Sequence, residues 1–516
     1  MRPLVTSIPR LDLSWHDTQL PVFDEPRPMS SVRFGVTFLG HQGWMIRSGS
    51  SCVLIDPLLW DEFGAVHALQ YAVHPPRVFG PEVFPAVDAV ILSHEHDDHF
   101  DIPSLARLDR RIPVFISAHS SSAALQIIRE MGFGVQLLVP GVPLTIGELQ
   151  IIPFSGDHFS VNCADEWDAL PYLVRDASGS GNFFSMVDVA LVPAHIQWAK
   201  AYAPRPGLVT WSNNALDWSH MSDRVADDIG TEQCFRAMGT GHQLISTQWG
   251  KPSAMLMCAG GFAFNGEQTW FNERVFWVDT ERVCARLASM YRDERFYSAL
   301  PGQTLWMEEN RLATIEQSTS FLGTAPRSQW PARGRRIREE IPDYAPATGR
   351  RSLNDGDDAL LFDGLSRLAV ALVGGFMFRS LHSMLAVEAQ GRKPTFAFVL
   401  RHGSEGSTLV FEYDASACAF VSVVVANPRD VYLAGWECWA TDLIAVLQGE
   451  LGPIALMYGR ARLWNHLPQR FCFDMQEALS RVSHPLSNPS GYLKIYRRMW
   501  ERSKSIVSTI QANTPR

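Results

Sequence analysis

Ser93-His94-Glu95-His96-Asp97-Asp98-His99 places three histidines and three acids on seven consecutive residues. Neutral imidazole is a good donor to first-row divalent ions, and a carboxylate adds charge compensation and a harder oxygen. On a loop leaving a buried strand, His94 and His96 can face one ion while Asp98 and His99 turn toward a second. A solvated polar loop seldom concentrates ligand types this densely, so the stretch reads as a metal site. More ligand types lie along the chain. Gly40-His41 and Asp56-Pro57 precede the loop, and His158 and Asp188 follow it. His195, His220 and His242 remain, and His220 and His242 are kept as extra candidate ligands.

The elements that must position these residues follow from hydrophobic period. Val32–Leu39 alternates, Gly40-His41-Gln42-Gly43 turns, and Trp44–Ser48 with Ser51–Ile55 makes a hairpin ending at Asp56-Pro57. Val87–Leu92 is a buried strand that delivers the histidine loop. Ile112–Ile116 is the next strand, Ser120–Met131 a helix, Val135–Leu138 another strand, and Leu144–Pro153 a hairpin leading to Gly156-Asp157-His158. Phe183–Val187 is apolar and ends on Asp188. Ala254–Cys258 is a strand opening into Ala259-Gly260-Gly261.

Between these, residues 190–250 read as an insertion overhanging the metals, irregular until about 230, with helical spacing at Glu232–Met238. Trp211, Asn213, Asn214 and Trp218 there combine aromatic faces with amides, which suits a small organic substrate. A loop packed by its own tryptophans explains the same residues equally well.

Four units are expected: an N-terminal arm over 1–30, a catalytic domain over 31–322, a linker over 323–353 and a C-terminal α+β domain over 354–516. The linker is inferred from its four prolines and seven arginines among few apolar residues. Beyond it come a helix at 359–374, strands at Thr395–Leu400, Ser407–Tyr413 and Phe420–Val425, and helices at 438–449 and 475–483.

Composition narrows the class. The 516 residues are 46% hydrophobic and 19% charged, as in a well-buried globular chain. A net charge of −9 argues against a nucleic-acid or anionic-membrane surface. Eight scattered cysteines without a Cys-x-x-Cys pair point to reduced thiols. The N-terminus, Met1-Arg2-Pro3-Leu4, has no apolar core long enough for a signal peptide, and no stretch approaches the ~20 apolar residues of a membrane span. A cytoplasmic protein is the expectation.

The set His94-x-His96-x-Asp98-His99, with Asp56 before it and His158 and Asp188 after, resembles the metallo-β-lactamase superfamily and especially its UlaG-like branch. The resemblance covers roughly residues 32–310. It implies an α/β fold, an αββα sandwich carrying one or two divalent ions. By it, His94, His96 and His158 would bind one ion, Asp98 and His99 the other, and Asp188 would bridge. Asp56 would orient a ligand from behind, and His41 is placed in the same supporting layer. Two departures stand out. The bridging aspartate comes as Val187-Asp188 rather than Gly-Asp, and Gln248-Trp249-Gly250 has Gln where one hydrolase branch has a final histidine.

Phe38-Leu39-Gly40-His41, Ile91-Leu92-Ser93-His94, Met186-Val187-Asp188, Cys258-Ala259-Gly260-Gly261-Phe262 and Leu300-Pro301-Gly302-Gln303-Thr304-Leu305 also resemble CMP-N-acetylneuraminate hydroxylase without its Rieske domain. That resemblance implies a non-haem iron or di-iron oxygenase hydroxylating a small organic substrate. Electrons would have to come from a separate donor, since the paired Cys-x-His and Cys-x-x-His elements of a Rieske centre do not occur. Iron is therefore favoured, with zinc or manganese as alternatives. The competing expectation is a hydrolase of an ester, lactone or phosphodiester, and a non-catalytic metal-binding protein is the third. Thr441–Leu451 with Met457-Tyr458-Gly459 resembles a fragment of sterol-carrier-protein-2-like domains. Such a domain would cover the active-site mouth, carry an apolar substrate or form a homo-oligomer.

Overall fold

The computed structural model describes residues 34–64, 71–79, 85–156, 167–213, 229–273, 276, 280–334, 342–374, 383, 391–456, 458–466, 478–479 and 482–513. The expected N-terminal arm, His158, Asn214, Trp218 and His220 lie outside these residues, as does most of the helix expected at 475–483.

Two sheets form the body. The first has eight strands in the order Arg311–Glu316, Thr304–Glu308, Phe34–Gly40, Gly43–Ser48, Ser51–Ile55, Ala89–Leu92, Val114–Ser117 and Val135–Leu138. The second has seven, in the order Leu144–Ile146, Leu149–Pro153, Tyr172–Asp176, Asn182–Ser185, Leu208–Ser212, Ala254–Cys258 and Phe296–Ser298. Side chains alternate faces along a strand, so a strand buried on both sides contributes to two cores. Phe34, Val36, Phe38, Trp44, Ile46, Val53 and Ile55 face the second sheet. Leu39, Met45, Cys52, Leu54, Val90 and Leu92 face outward, under helices.

One of those helices is Ser122–Glu130, whose N-terminus is capped by Ser121 accepting from Ala124 N. The other is the C-terminal helix, Pro489–Asn513. Tyr492, Ile495, Tyr496 and Met499 fall at i, i+3, i+4 and i+7 and join the same core. The chain's end therefore returns to the first sheet and does not stay with the unit expected over 354–516. On the second sheet's outer face lie Pro193–Tyr202 and Ile229–Gln248, through Ile196, Ala199, Ile245 and Trp249.

The described parts of 190–250, residues 190–213 and 229–250, thus belong to the second sheet and its outer layer and are not an overhanging insertion. Leu208–Ser212 is an internal strand, parallel to Asn182–Ser185 and Ala254–Cys258. It is only five residues long and follows Pro206-Gly207, which masks its period in the sequence.

The C-terminal sheet runs Ala419–Val423, Ser407–Asp414, Lys393–His402, Tyr432–Trp439 and Ala461–Asn465, with Asp355–Gly374 and Ala440–Leu447 packed against it. Strand Tyr432–Trp439 replaces the beginning of the helix expected from 438. Its core runs on into Phe63, Tyr71, Val73, Phe262 and Phe264 of a three-stranded sheet beside the histidine loop.

The described residues of 323–353, namely 323–334 and 342–353, are bonded to both units and do not form a free linker. Leu322–Thr324 pairs with Arg77–Phe79, and Gly334 N donates to Asn272 O at 2.8 Å. On the other side, Tyr344 Oη donates to Glu437 O at 3.0 Å, and the amides of Ala347 and Thr348 both donate to Asp442. The basic composition misleads because several arginines lie over rings: Arg327 over Trp330, Arg333 over Phe276, Arg350 over Trp439.

Phe183, with no exposed surface and its ring 5.0 Å from that of Trp44, sits between the two sheets. Phe183→Ala is expected to destabilise the chain by about 3–5 kcal/mol, read as a lowered melting temperature in a thermal scan.

Candidate metal centre

One rim of the sandwich collects the candidate residues. His41 follows Phe34–Gly40, Asp56 follows Ser51–Ile55, the histidine loop follows Ala89–Leu92, Asp188 comes just after Asn182–Ser185, and Ala259 follows Ala254–Cys258. The parallel pairing of Ser51–Ile55 with Ala89–Leu92 brings these strand ends side by side. Four non-glycine residues at this rim adopt left-handed backbone: His41 (φ 54°), Asp56 (45°), Val187 (54°) and Ala259 (55°). Such conformations cost of order 1–3 kcal/mol each and persist where surrounding structure enforces them, typically at functional sites.

Asp56 is 1% exposed and organises the loop. Its Oδ1 accepts from Ser93 N at 2.7 Å, and its Oδ2 accepts from Ser93 Oγ at 2.6 Å and lies 2.8 Å from His99 Nδ1. The opposite nitrogen of His99, Nε2, is thereby aimed at Asp188 Oδ2, 3.0 Å away, with Asp98 Oδ2 at 3.6 Å. His94 Nε2 lies 3.9 Å from the same Asp188 oxygen. The His94 ring stands 4.1 Å from that of His99 and 4.6 Å from that of His96. His41 Nε2 is 2.7 Å from Asp98 Oδ2, and Gln42 Nε2 donates to Asp188 Oδ1.

Two trios emerge, His94–His99–Asp188 and His41–Asp98–His99, each with its donor atoms within 4.8 Å of one another. This donor set fits a divalent first-row ion. Three carboxylates, those of Asp56, Asp98 and Asp188, surround His99 and demand positive charge. Burial lowers the basicity of His99, but Asp98, Asp56 and Asp188 together lift its pKa well above the ordinary histidine value. Burial opposes ionisation of Asp98, yet His99 and His41 hold it well below the usual carboxylate range. His94 is pushed well down by burial and then by His99 and His96. A metal cation meets the same demand that these groups otherwise meet with protons.

Glu95 and Asp97 do not join the trios. Glu95 points away from the rim, accepting from Ser121 N and Ser121 Oγ, both at 2.6 Å, and from Tyr496 Oη at 3.3 Å. Burial and the neighbouring Asp168 raise its pKa to about 8. Asp168 accepts from Glu95 N at 3.1 Å and from Ser120 Oγ at 2.6 Å. The C-terminal helix is therefore tied to the loop that carries the ligands. Tyr496→Phe is expected to cost about 1 kcal/mol of stability, visible in a thermal scan, while leaving metal stoichiometry unchanged.

Several expected site residues are placed elsewhere. His242 Nε2 lies 2.8 Å from Glu294 Oε2, with its ring against Tyr291 and Phe296, so that nitrogen is engaged away from the rim. The Trp211 ring packs where a Cβ on Gly241 would stand. Asn213 is 4% exposed, with its backbone N donating to Cys258 O at 2.7 Å. Trp249 packs on Phe184 and donates to Ala203 O, so Gln248-Trp249-Gly250 is part of that outer layer. Gln42, Asp168 and Tyr496 were not singled out from sequence. Gln42 had a signal in its place beside His41, whereas Tyr496 lies 401 residues from its partner.

Residues 52–242 match the family described as beta-lactamase superfamily domain, and the layered architecture is that of the metallo-β-lactamase fold. Uncharacterized protein Rv0906 of Mycobacterium tuberculosis is 32% identical over 97 residues, 17% of this chain. The chain spans 26% of the length of that relative. Among solved structures, isothiocyanate hydrolase from Delia radicum gut bacteria is 16% identical, with 55% of this chain and 100% of that one covered at a TM-score of 0.34. CmlA, a diiron beta-hydroxylase from Streptomyces venezuelae, is 13% identical, with 55% of each chain covered at a TM-score of 0.33.

Proposed function

We propose that this chain, which carries a metallo-β-lactamase-fold domain, is a non-haem iron oxygenase that hydroxylates a small organic substrate with electrons from a separate donor. The observation that carries this is the end of strand Ala254–Cys258. Ala259-Gly260-Gly261 brings only backbone and a methyl group to the rim there, and Ala259 N donates to His41 O at 2.9 Å. Burial, and then the nearby Asp188, push the thiol pKa of Cys258 up. Among the described residues, a mixed imidazole and carboxylate set thus stands beside a strand end that offers no side-chain donor other than Cys258, which suits the open positions that oxygen-activating iron requires. Bound iron would supply the activation of O2.

The chain's own residues have defined tasks in this scheme. His94, His96, His99, Asp98 and Asp188 would hold the metal, with His158 as a further ligand by resemblance. Asp56 fixes the orientation of His99, and Gln42 fixes that of Asp188. The buried walls formed by Phe63 and Phe262 beside His41 keep bulk water from this side.

A hydrolase is the second reading, favoured by carboxylates on both sides of His99 Nε2, Asp188 at 3.0 Å and Asp98 at 3.6 Å. Two ions held so close would suit a bridging water as nucleophile toward an ester, lactone or phosphodiester. Metal content and oxygen uptake of anaerobically purified protein separate the two. Iron with reductant-dependent O2 consumption supports the oxygenase. Stoichiometric zinc, no O2 uptake and turnover of an ester, lactone or phosphodiester panel would replace it by the hydrolase.

A further inference from the structure

We infer that His41 is a ligand to the second metal position, together with Asp98 and His99. This rests on the reading of the rim as a metal centre and deepens it, since the sequence puts His41 only in a supporting layer.

The position of the ring is the first argument. Nε2 lies 2.7 Å from Asp98 Oδ2, and His41, Asp98 and His99 each offer a donor atom within 4.8 Å of the others. An imidazole nitrogen and a carboxylate oxygen so close, with a second imidazole at hand, form three corners of a coordination shell. The ring is 2% exposed and held between Phe63 and Phe262, with centroids 5.4 and 5.9 Å away. It cannot swing to solvent, so Nε2 is fixed toward Asp98.

The backbone is the second argument. His41 stands at φ 54°, which a side chain other than glycine adopts at a cost. A turn that needed only this backbone shape would be met more cheaply by glycine. The turn is clamped from the other side as well. Gly261 passes so close that a Cβ there would lie 3.0 Å from His41 Cα, and Ala259 N holds His41 O. The late strand that brings no histidine of its own thus braces the one contributed by the first strand.

His41→Gly suits the test because glycine accepts the backbone conformation and leaves a ring-shaped space. Equivalents of Co2+ bound by the full chain are measured by calorimetry and by the visible absorption of the bound ion. Wild type is expected to bind two equivalents. His41→Gly should keep the first and lose affinity for the second by more than the ~10–100-fold typical of removing an orienting partner. Added imidazole should restore the second equivalent and its absorption. His41→Gln, which keeps a hydrogen-bonding group but no imidazole, should behave like His41→Gly.

Two equivalents of undiminished affinity in either variant would overturn the inference. So would an unrestored loss in His41→Gly accompanied by an unfolded circular-dichroism spectrum together with wild-type binding by His41→Gln. Wild type binding a single equivalent would also overturn it while leaving the metal centre standing. Wild type binding none would remove the proposed function itself.

Discussion

Asp188→Ala is expected to abolish turnover and to lower metal affinity by more than the ~100-fold that removal of an orienting partner reaches. One oxygen of this carboxylate stands 3.0 Å from His99 Nε2 and 3.9 Å from His94 Nε2, and the other accepts from Gln42. This carboxylate thus faces both imidazoles of the His94–His99–Asp188 trio, and its loss removes that trio's negative charge. The side chain is 8% exposed, and the neighbouring Val187 is held at φ 54° to deliver it. Metal titration with Asp188→Ala, beside Asp188→Asn, checks this. Asparagine keeps the shape but not the charge, so it should recover part of the folding stability and little of the affinity. Wild-type metal affinity in Asp188→Ala would show that the carboxylate only braces Gln42.

Asp56→Ala should lower metal affinity by about 10–100-fold and also destabilise the chain, although Asp56 belongs to neither trio. Three donors converge on its carboxylate: Ser93 N, Ser93 Oγ and His99 Nδ1. Each buried donor left without its acceptor costs about 1–3 kcal/mol. His99 would in addition lose the partner that fixes its tautomer and aims Nε2 at the rim. The two effects can be told apart by measuring metal affinity at a temperature where circular dichroism shows the variant fully folded. Asp56→Asn should be intermediate, because an amide retains one acceptor but sets an NH2 group against a donor.

The parts of this centre that were legible in sequence are those carried by local pattern. The histidine loop announces itself by ligand density behind an apolar strand, and Asp56 and Asp188 by being acids at the ends of apolar strands. What was hidden depends on approach between distant segments. The ring of His41 meets Asp98 because a turn is bent into left-handed backbone and braced by Gly261, and no spacing encodes that. Tyr496 reaches Glu95 across 401 residues. Strand Tyr432–Trp439 runs without a break into helix Ala440–Leu447, and a continuous apolar run does not reveal where one period gives way to the other. The C-terminal helix displays its apolar stripe openly, but a stripe does not say which of two sheets it covers. The arginines of 323–353 suggested solvation because composition is blind to stacking.

Oxygen consumption by the iron-loaded chain under a chemical reductant tests the proposed chemistry most directly. The expected result is uptake that needs both iron and reductant, disappears in Asp188→Ala and is absent from zinc-loaded protein. Iron-loaded wild type that consumes no oxygen with any reductant, while the zinc-loaded chain turns over an ester, lactone or phosphodiester, would contradict it.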